Sequence, residues 1–156
     1  MAEKTSELLN EKLVFLDLEI TDKQAIFDLV SSKFSYLGIT KSEQEFLDAL
    51  QEREELGSTF MGNGIAIPHG KSECVEESAL SVIRIKEPIY YESNNDSGEV
   101  DLFFTFAIPK EKEGDEYLRL LSNLARLLMK ENFLTNIRNA QNFEQILGAF
   151  QEFDEQ

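Results

Sequence analysis

Apolar positions along this chain change their period several times, and each change marks a predicted element. Leu13 to Ile20 (LVFLDLEI) is rich in aliphatic and aromatic residues and predicts a short strand. Thr21 and Asp22 then open a helix in which Ile26, Leu29, Val30, Phe34 and Leu37 recur at helical spacing. Gly38 follows the last of them, where a C-cap is expected. Thr40 and Glu43 have the spacing of a capping box. The helix they predict carries Phe46, Leu47 and Leu50 on one side. It ends on the charged run Glu52-Arg53-Glu54-Glu55, and Gly57 closes it.

Beyond residue 70 the period shortens. Ala79 to Lys86 and Ile89 to Glu92 read as strands, and Ser93 to Gly98 (SNNDSG) as a turn-rich connection. Glu99 to Ile108 (EVDLFFTFAI) predicts a central strand, because apolar residues fall on both faces, and Pro109 ends it. A long helix follows from about Asp115 to Glu131, with Leu118, Leu121, Leu124, Ala125 and Leu128 as its apolar stripe. Two shorter helical stretches complete the chain, one around Phe133 and Ile137, the other beginning near Asn142. Helices flank a central block of strands, so the predicted class is α/β.

The length of 156 residues fits a single domain, taken here as 1–156 with its core at about 13–150. Hydrophobic residues make up 42% of the chain, enough for a packed core. The formal charge of −15 repels phosphate backbones and anionic lipid, which argues against nucleic acid as a partner. The same charge serves either solubility or the steering of a basic partner protein. A lone cysteine, Cys74, permits no intramolecular disulfide. The N-terminus is polar, and no run of about 20 apolar residues exists, so a cytoplasmic protein without membrane insertion is expected.

The unusual segment is Gly57 to Gly70 (GSTFMGNGIAIPHG), which contains the only histidine of the chain, His69. A histidine has an ordinary pKa near 6.5 and is largely neutral at neutral pH. One ring nitrogen can attack phosphorus while a hydrogen bond to the other fixes the tautomer. Pro68 stiffens the backbone entering the histidine, and Gly70 permits close approach after it. Gly62-Asn63-Gly64 can turn backbone N–H groups toward an anion. Ser58 and Thr59 offer hydroxyls, and Arg53 a fork of donors suited to a phosphoryl group. Phosphoryl transfer needs mainly positioning and charge neutralisation. On these residues alone a purely structural histidine stays open as the alternative.

The run Gly62-Asn63-Gly64-Ile65-Ala66-Ile67-Pro68-His69-Gly70, with Arg53-Glu54 and Ser58-Thr59 before it, closely resembles the active-site signature of fructose/mannitol-type enzyme IIA domains (type 2 EIIA) of the bacterial phosphoenolpyruvate-dependent sugar phosphotransferase system. The resemblance extends from about Leu13 to Phe150. It implies a mixed sheet with helices on both sides and a phosphotransferase component without a cofactor. It also implies a mechanism. His69 accepts a phosphoryl group from the phosphocarrier HPr and passes it to a cysteine of enzyme IIB, which serves a membrane enzyme IIC. Arg53 neutralises the transferred group, while Thr59, Gly62, Gly64 and Pro68 shape the loop beside it. A regulatory enzyme IIA-like protein of the nitrogen-related branch is the alternative that the same resemblance allows. One departure stands out: where the family often has a second histidine before the leucine stripe, this chain has Tyr117, preceded by Glu116. A Tyr117 hydroxyl or a Glu116 carboxylate is the candidate assisting group.

Other chemistries find little support. Zinc needs about four ligands in a structural site, or three plus water in a catalytic one, and one His and one Cys fall short of either unless carboxylates dominate. There is no G-x-S-x-G elbow and no Walker phosphate loop. Cys74 is expected to be inert, and acidic pairs such as Glu54-Glu55 are expected to be solvated.

Overall fold

The computed structural model describes residues 4–111 and 115–154, with side chains described from Tyr117 onward in the second stretch. After two short 3-10 turns, Thr5–Leu8 and Glu11–Leu13, the chain enters strand β1 (Val14–Leu18). Helices α1 (Lys23–Tyr36) and α2 (Glu43–Leu56) follow. Three short strands come next: β2 (Phe60–Gly62), β3 (Ile65–Ala66) and β4 (His69–Ser72). Two long strands, β5 (Ala79–Ser93) and β6 (Asp96–Pro109), precede helices α3 (Asp115–Leu128), α4 (Glu131–Asn139) and α5 (Phe143–Asp154).

The strands form one mixed six-stranded sheet in the order β1-β5-β6-β3-β2, with β4 also paired to β6. As the pattern predicts, β6 is central: it is antiparallel to β5 and parallel to β3 and β4. Alternation along the long strands separates two cores. Leu80, Val82, Leu102, Phe104, Phe106 and Ile108 face one way, toward Leu124, Phe133, Ile137, Ile146 and Phe150 of the C-terminal helices. Ile83, Ile85, Phe103 and Ala107 face the other, toward Ile26, Val30, Phe34, Phe46 and Leu50 of α1 and α2. The α/β class with helices on both faces is therefore the observed architecture.

Three details depart from the pattern. The two strands expected at 79–92 are one strand. Its register shifts between Arg84 and Ile89, where Pro88, without an N–H, is tolerated. The connection expected over Ser93 to Gly98 tightens to Asn94-Asn95, with Asn94 at φ 55°. The cap of α2 is Ser42, whose hydroxyl accepts from Glu45 N at 3.1 Å, and not Thr40. Thr40 is held instead in a bridge to Val75. The caps expected at Asp22 and Asn142 are observed, on Ala25 N (2.8 Å) and Gln145 N (2.9 Å). Gly38 takes φ 76° after α1, where a side chain would be strained. No helix among the described residues is long and apolar enough to cross a membrane.

Candidate functional site

His69 is the first residue of β4, and its position follows from the two residues before it. Ile67 N donates to Thr59 O at 2.9 Å. Pro68 has no N–H to continue the β3 ladder, and its carbonyl accepts from Phe106 N at 3.2 Å. The chain then resumes pairing with His69 opposite Phe106. Gly70 allows α2 to lie close on β4, since a Cβ there would stand 2.9 Å from the Phe46 ring. That approach brings the last turn of α2, with Arg53, against the histidine.

The imidazole is 5% exposed and held at both nitrogens. Nδ1 lies 3.0 Å from Ile67 O, a carbonyl that can only accept, so Nδ1 carries the proton. Nε2 accepts from Arg53 Nε at 2.9 Å and therefore holds the free lone pair. The same guanidinium donates through Nη1 to Gly57 O at 2.8 Å, which fixes its plane. Burial is the main cause that lowers the His69 pKa, to about 4; the bond to Ile67 O opposes it, and the Arg53 charge adds to the lowering. His69 is thus a neutral base across the physiological range.

Two consequences follow. The His69 ring resonances are expected to stay constant in an NMR titration from pH 8 to about 5.5, where an ordinary histidine is already mostly protonated. A midpoint near 6.5 contradicts the burial argument. The sign for stability is fixed too. Between about 6.5 and 4 the unfolded chain binds the proton and the folded one does not, so acidification through that window withdraws about 3 kcal/mol.

Glu54, next to Arg53, points away from the histidine into a polar cluster. Thr59 Oγ1 donates to its Oε2 at 2.5 Å, and Ser93 Oγ to Oε1 at 2.7 Å. Tyr91 Oη reaches Oε1 at 3.3 Å, and Lys23 Nζ pairs with Oε1 at 2.6 Å. Glu54 is therefore buried, against the expectation of a solvated Glu54-Glu55 pair. Both carboxylate oxygens therefore have hydrogen-bond partners despite their burial. Asn94 Nδ2 donates to Glu54 O and Glu55 O at 3.3 and 2.8 Å, tying the β5–β6 turn to the end of α2.

The predicted site residues fall into three groups. Arg53, Pro68 and His69 meet. Thr59 lies one step away: its hydroxyl is committed to Glu54, while its carbonyl holds Ile67, and so the histidine's own acceptor. Gly62 and Gly64 do not reach the histidine. They shape the β2–β3 turn with Asn63, all three at positive φ. Gly64 O accepts from Asp101 N and Leu102 N, and Arg138 Nη2 binds Asn63 O at 2.8 Å. Along β6 that is about five residues, roughly 16 Å, from the level of His69. A two-residue hairpin turn at Asn63-Gly64, with a register shift that ends at Gly62, accounts for these positions without an anion. Ser58 Oγ accepts from Phe60 N at 3.0 Å in a local turn. Cys74 is buried.

Tyr117 does border the site. Its ring centroid lies 5.9 Å from that of His69, tilted by 53°. The Glu116 side chain lies outside the described residues. The residues missed from sequence are Ile67, which acts through its carbonyl, and Lys71, whose Nζ lies 4.8 Å from the Tyr117 centroid. Lys71 was findable once 69–72 is read as a strand, because positions i and i+2 share a face.

The family model described as "Phosphoenolpyruvate-dependent sugar phosphotransferase system, EIIA 2" matches residues 7–153. The chain is 29% identical to the 2-O-α-mannosyl-D-glycerate-specific EIIABC component of Escherichia coli, over 93% of this chain and 22% of that protein. It spans only about a fifth of the length of the curated relatives it first matches. The crystal structure of nitrogen regulatory protein IIA-Ntr from Neisseria meningitidis superposes with a TM-score of 0.81 at 27% identity, covering 93% of this chain and 97% of that one. The IIA chain in the complex of enzyme IIA mannitol and phosphorylated enzyme IIB from Escherichia coli shares the fold, with a TM-score of 0.75 at 18% identity, covering 93% and 99%. With the buried histidine, its arginine and the fold all in place, the match across nearly its whole length makes this chain a member of the EIIA type 2 family of the sugar phosphotransferase system.

Proposed function

We propose that the domain is a phosphoryl carrier in which His69 Nε2 accepts the group from phospho-HPr and delivers it to a cysteine of enzyme IIB. The observation that carries this reading is the fixed tautomer. The Nδ1 proton is occupied by Ile67 O, and Nε2 offers its lone pair beside a guanidinium. In the accepting step the Nε2 lone pair forms the N–P bond while the donor's N–P bond breaks, its electron pair returning to the donor imidazole. The proton stays on Nδ1, donated to Ile67 O, throughout. Arg53 gives up Nε2 to the phosphorus and turns its donors to the phosphoryl oxygens, a charge-assisted contact stronger than the one it leaves. Delivery runs the same step in reverse toward an incoming thiolate. A complex of a like-folded IIA with phosphorylated IIB supports the choice of acceptor. A membrane enzyme IIC downstream would couple the chain to sugar entry.

Incubation with phosphoenolpyruvate, enzyme I and HPr is expected to add one acid-labile phosphate. Nitrogen-15 NMR should place it on Nε2. No incorporation, or label on Nδ1, overturns the reading. A second reading is favoured by the likeness to IIA-Ntr, which covers nearly all of both chains. There the phosphorylation state of His69 would control a regulatory partner. Deletion separates the two: loss of uptake of one sugar supports the carrier, and unchanged uptake of every sugar tested supports the regulator.

A further inference from the structure

Arg53 is one cation, and a phosphoryl group on histidine brings about two negative charges at neutral pH. The family's second histidine is absent here, and the Tyr117 that replaces it cannot carry positive charge. Its ring does something else. Lys71 leaves β4 on the same face as His69, two residues on, and its Nζ lies 4.8 Å from the Tyr117 centroid. The Tyr117 ring in turn lies 5.9 Å from the His69 ring. Histidine, aromatic ring and ammonium are therefore neighbours in one short chain of contacts. Arg53 approaches the same imidazole from α2.

We propose that Lys71, seated on the face of Tyr117, is the second cation of the phosphoryl site and binds the phosphoryl oxygens during transfer and in the phosphohistidine. This rests on the carrier reading above. An exposed cation resting on an aromatic face is weakly held, and the Lys71 ammonium can leave the ring for a charged oxygen that binds more strongly. The four-carbon stem supplies the reach. Lys71 also borders an acidic groove with Glu45, Asp48, Glu52, Glu73 and Lys110, to which His69 and Arg53 do not contribute. Lys71 neither gives nor takes a proton in the step; the N–P bonds exchange as described above. The Lys71 charge already contributes, in the smallest measure, to keeping His69 unprotonated, as expected of a cation near the ring. The contribution of Tyr117 is then its ring face and not its hydroxyl.

The test follows phosphorylation of the full chain by phospho-HPr, with rates measured across a range of HPr concentrations. Lys71→Met is expected to lower the maximal rate about tenfold. That is less than for an enclosed donor, because Lys71 is open to water. Lys71→Arg should restore most of it. Tyr117→Leu should lower the rate more than Tyr117→Phe, which keeps the ring. Overturning results are a Lys71→Met rate equal to wild type, an effect confined to KM, which would mean docking alone, or a greater loss in Tyr117→Phe than in Tyr117→Leu. Unlabelled wild-type protein would instead sink the carrier reading and this inference with it. A labelled wild type with an unaffected Lys71→Met sinks this inference alone.

Discussion

Phosphoryl uptake from phospho-HPr is expected to vanish in His69→Ala and to fall by about 10²–10³ in Arg53→Ala. The two variants separate acceptor from stabiliser. His69 is the sole histidine of the chain, and Cys74 is buried on the α2 side of the sheet, so no other group can take the label as phosphohistidine. Alanine at 69 also leaves a cavity and an unpaired Ile67 carbonyl. His69→Gln is therefore the companion variant, since its amide can still donate to Ile67 O. Circular dichroism shows whether each is folded, and label transferred from radioactive phosphoenolpyruvate gives the result. Arg53→Ala keeps the acceptor and its tautomer but loses the donor that faces Nε2 at 2.9 Å. It should still label fully, only slowly. Arg53→Lys should fall between, because it keeps the charge without the planar fork. Acid-labile phosphate on folded His69→Gln would disprove the assignment.

Glu54→Ala is expected to cost about 3–5 kcal/mol of folding stability, read as a lower urea midpoint at unchanged slope. The carboxylate is the common acceptor for Lys23, Thr59, Tyr91 and Ser93. Removing it leaves a half-buried ammonium and three hydroxyls without their partner, and the penalty lies in those groups more than in the lost attraction. Lys23 keeps the carbonyl of Glu92 and the face of Tyr91 at 4.4 Å, which limits the loss. Glu54→Gln should cost less, since an amide oxygen still accepts from the hydroxyls. The cluster anchors the last turn of α2, and Arg53 is the residue before Glu54. Folded Glu54→Gln is therefore expected to label more slowly as well. A loss below 1 kcal/mol in Glu54→Ala would show that water replaces the carboxylate, contrary to its burial.

Much of this was legible in the chain because it depends on local pattern. Alternation in EVDLFFTFAI marked the central strand, and helical spacing marked the elements on both sides. Asp22 and Asn142 announced their helices because a cap is a contact three residues long. Motif position singled out His69, Pro68 and Arg53. What failed was long-range. Glu54 looked like any solvated acid in a charged helix end. Its burial depends on Tyr91 and Ser93, almost forty residues away, closing over it from the β5–β6 hairpin. Gly62 and Gly64 looked like a phosphate cradle, since a positive-φ glycine turn reads the same whether it holds an anion or reverses a hairpin. Only the pairing of β3 with Leu102 and Phe103 carries that turn away from the histidine.

The sequence by itself determined the α/β class through periodicity, and it named the candidate acceptor and its arginine through residue chemistry joined to the resemblance of the Gly62–Gly70 run to the family signature. The tertiary structure decided which nitrogen of His69 is free, how far its pKa falls and which side chains stand beside it. Those properties come from burial and from contacts between α2, β4 and the start of α3, and no local stretch of the chain contains them.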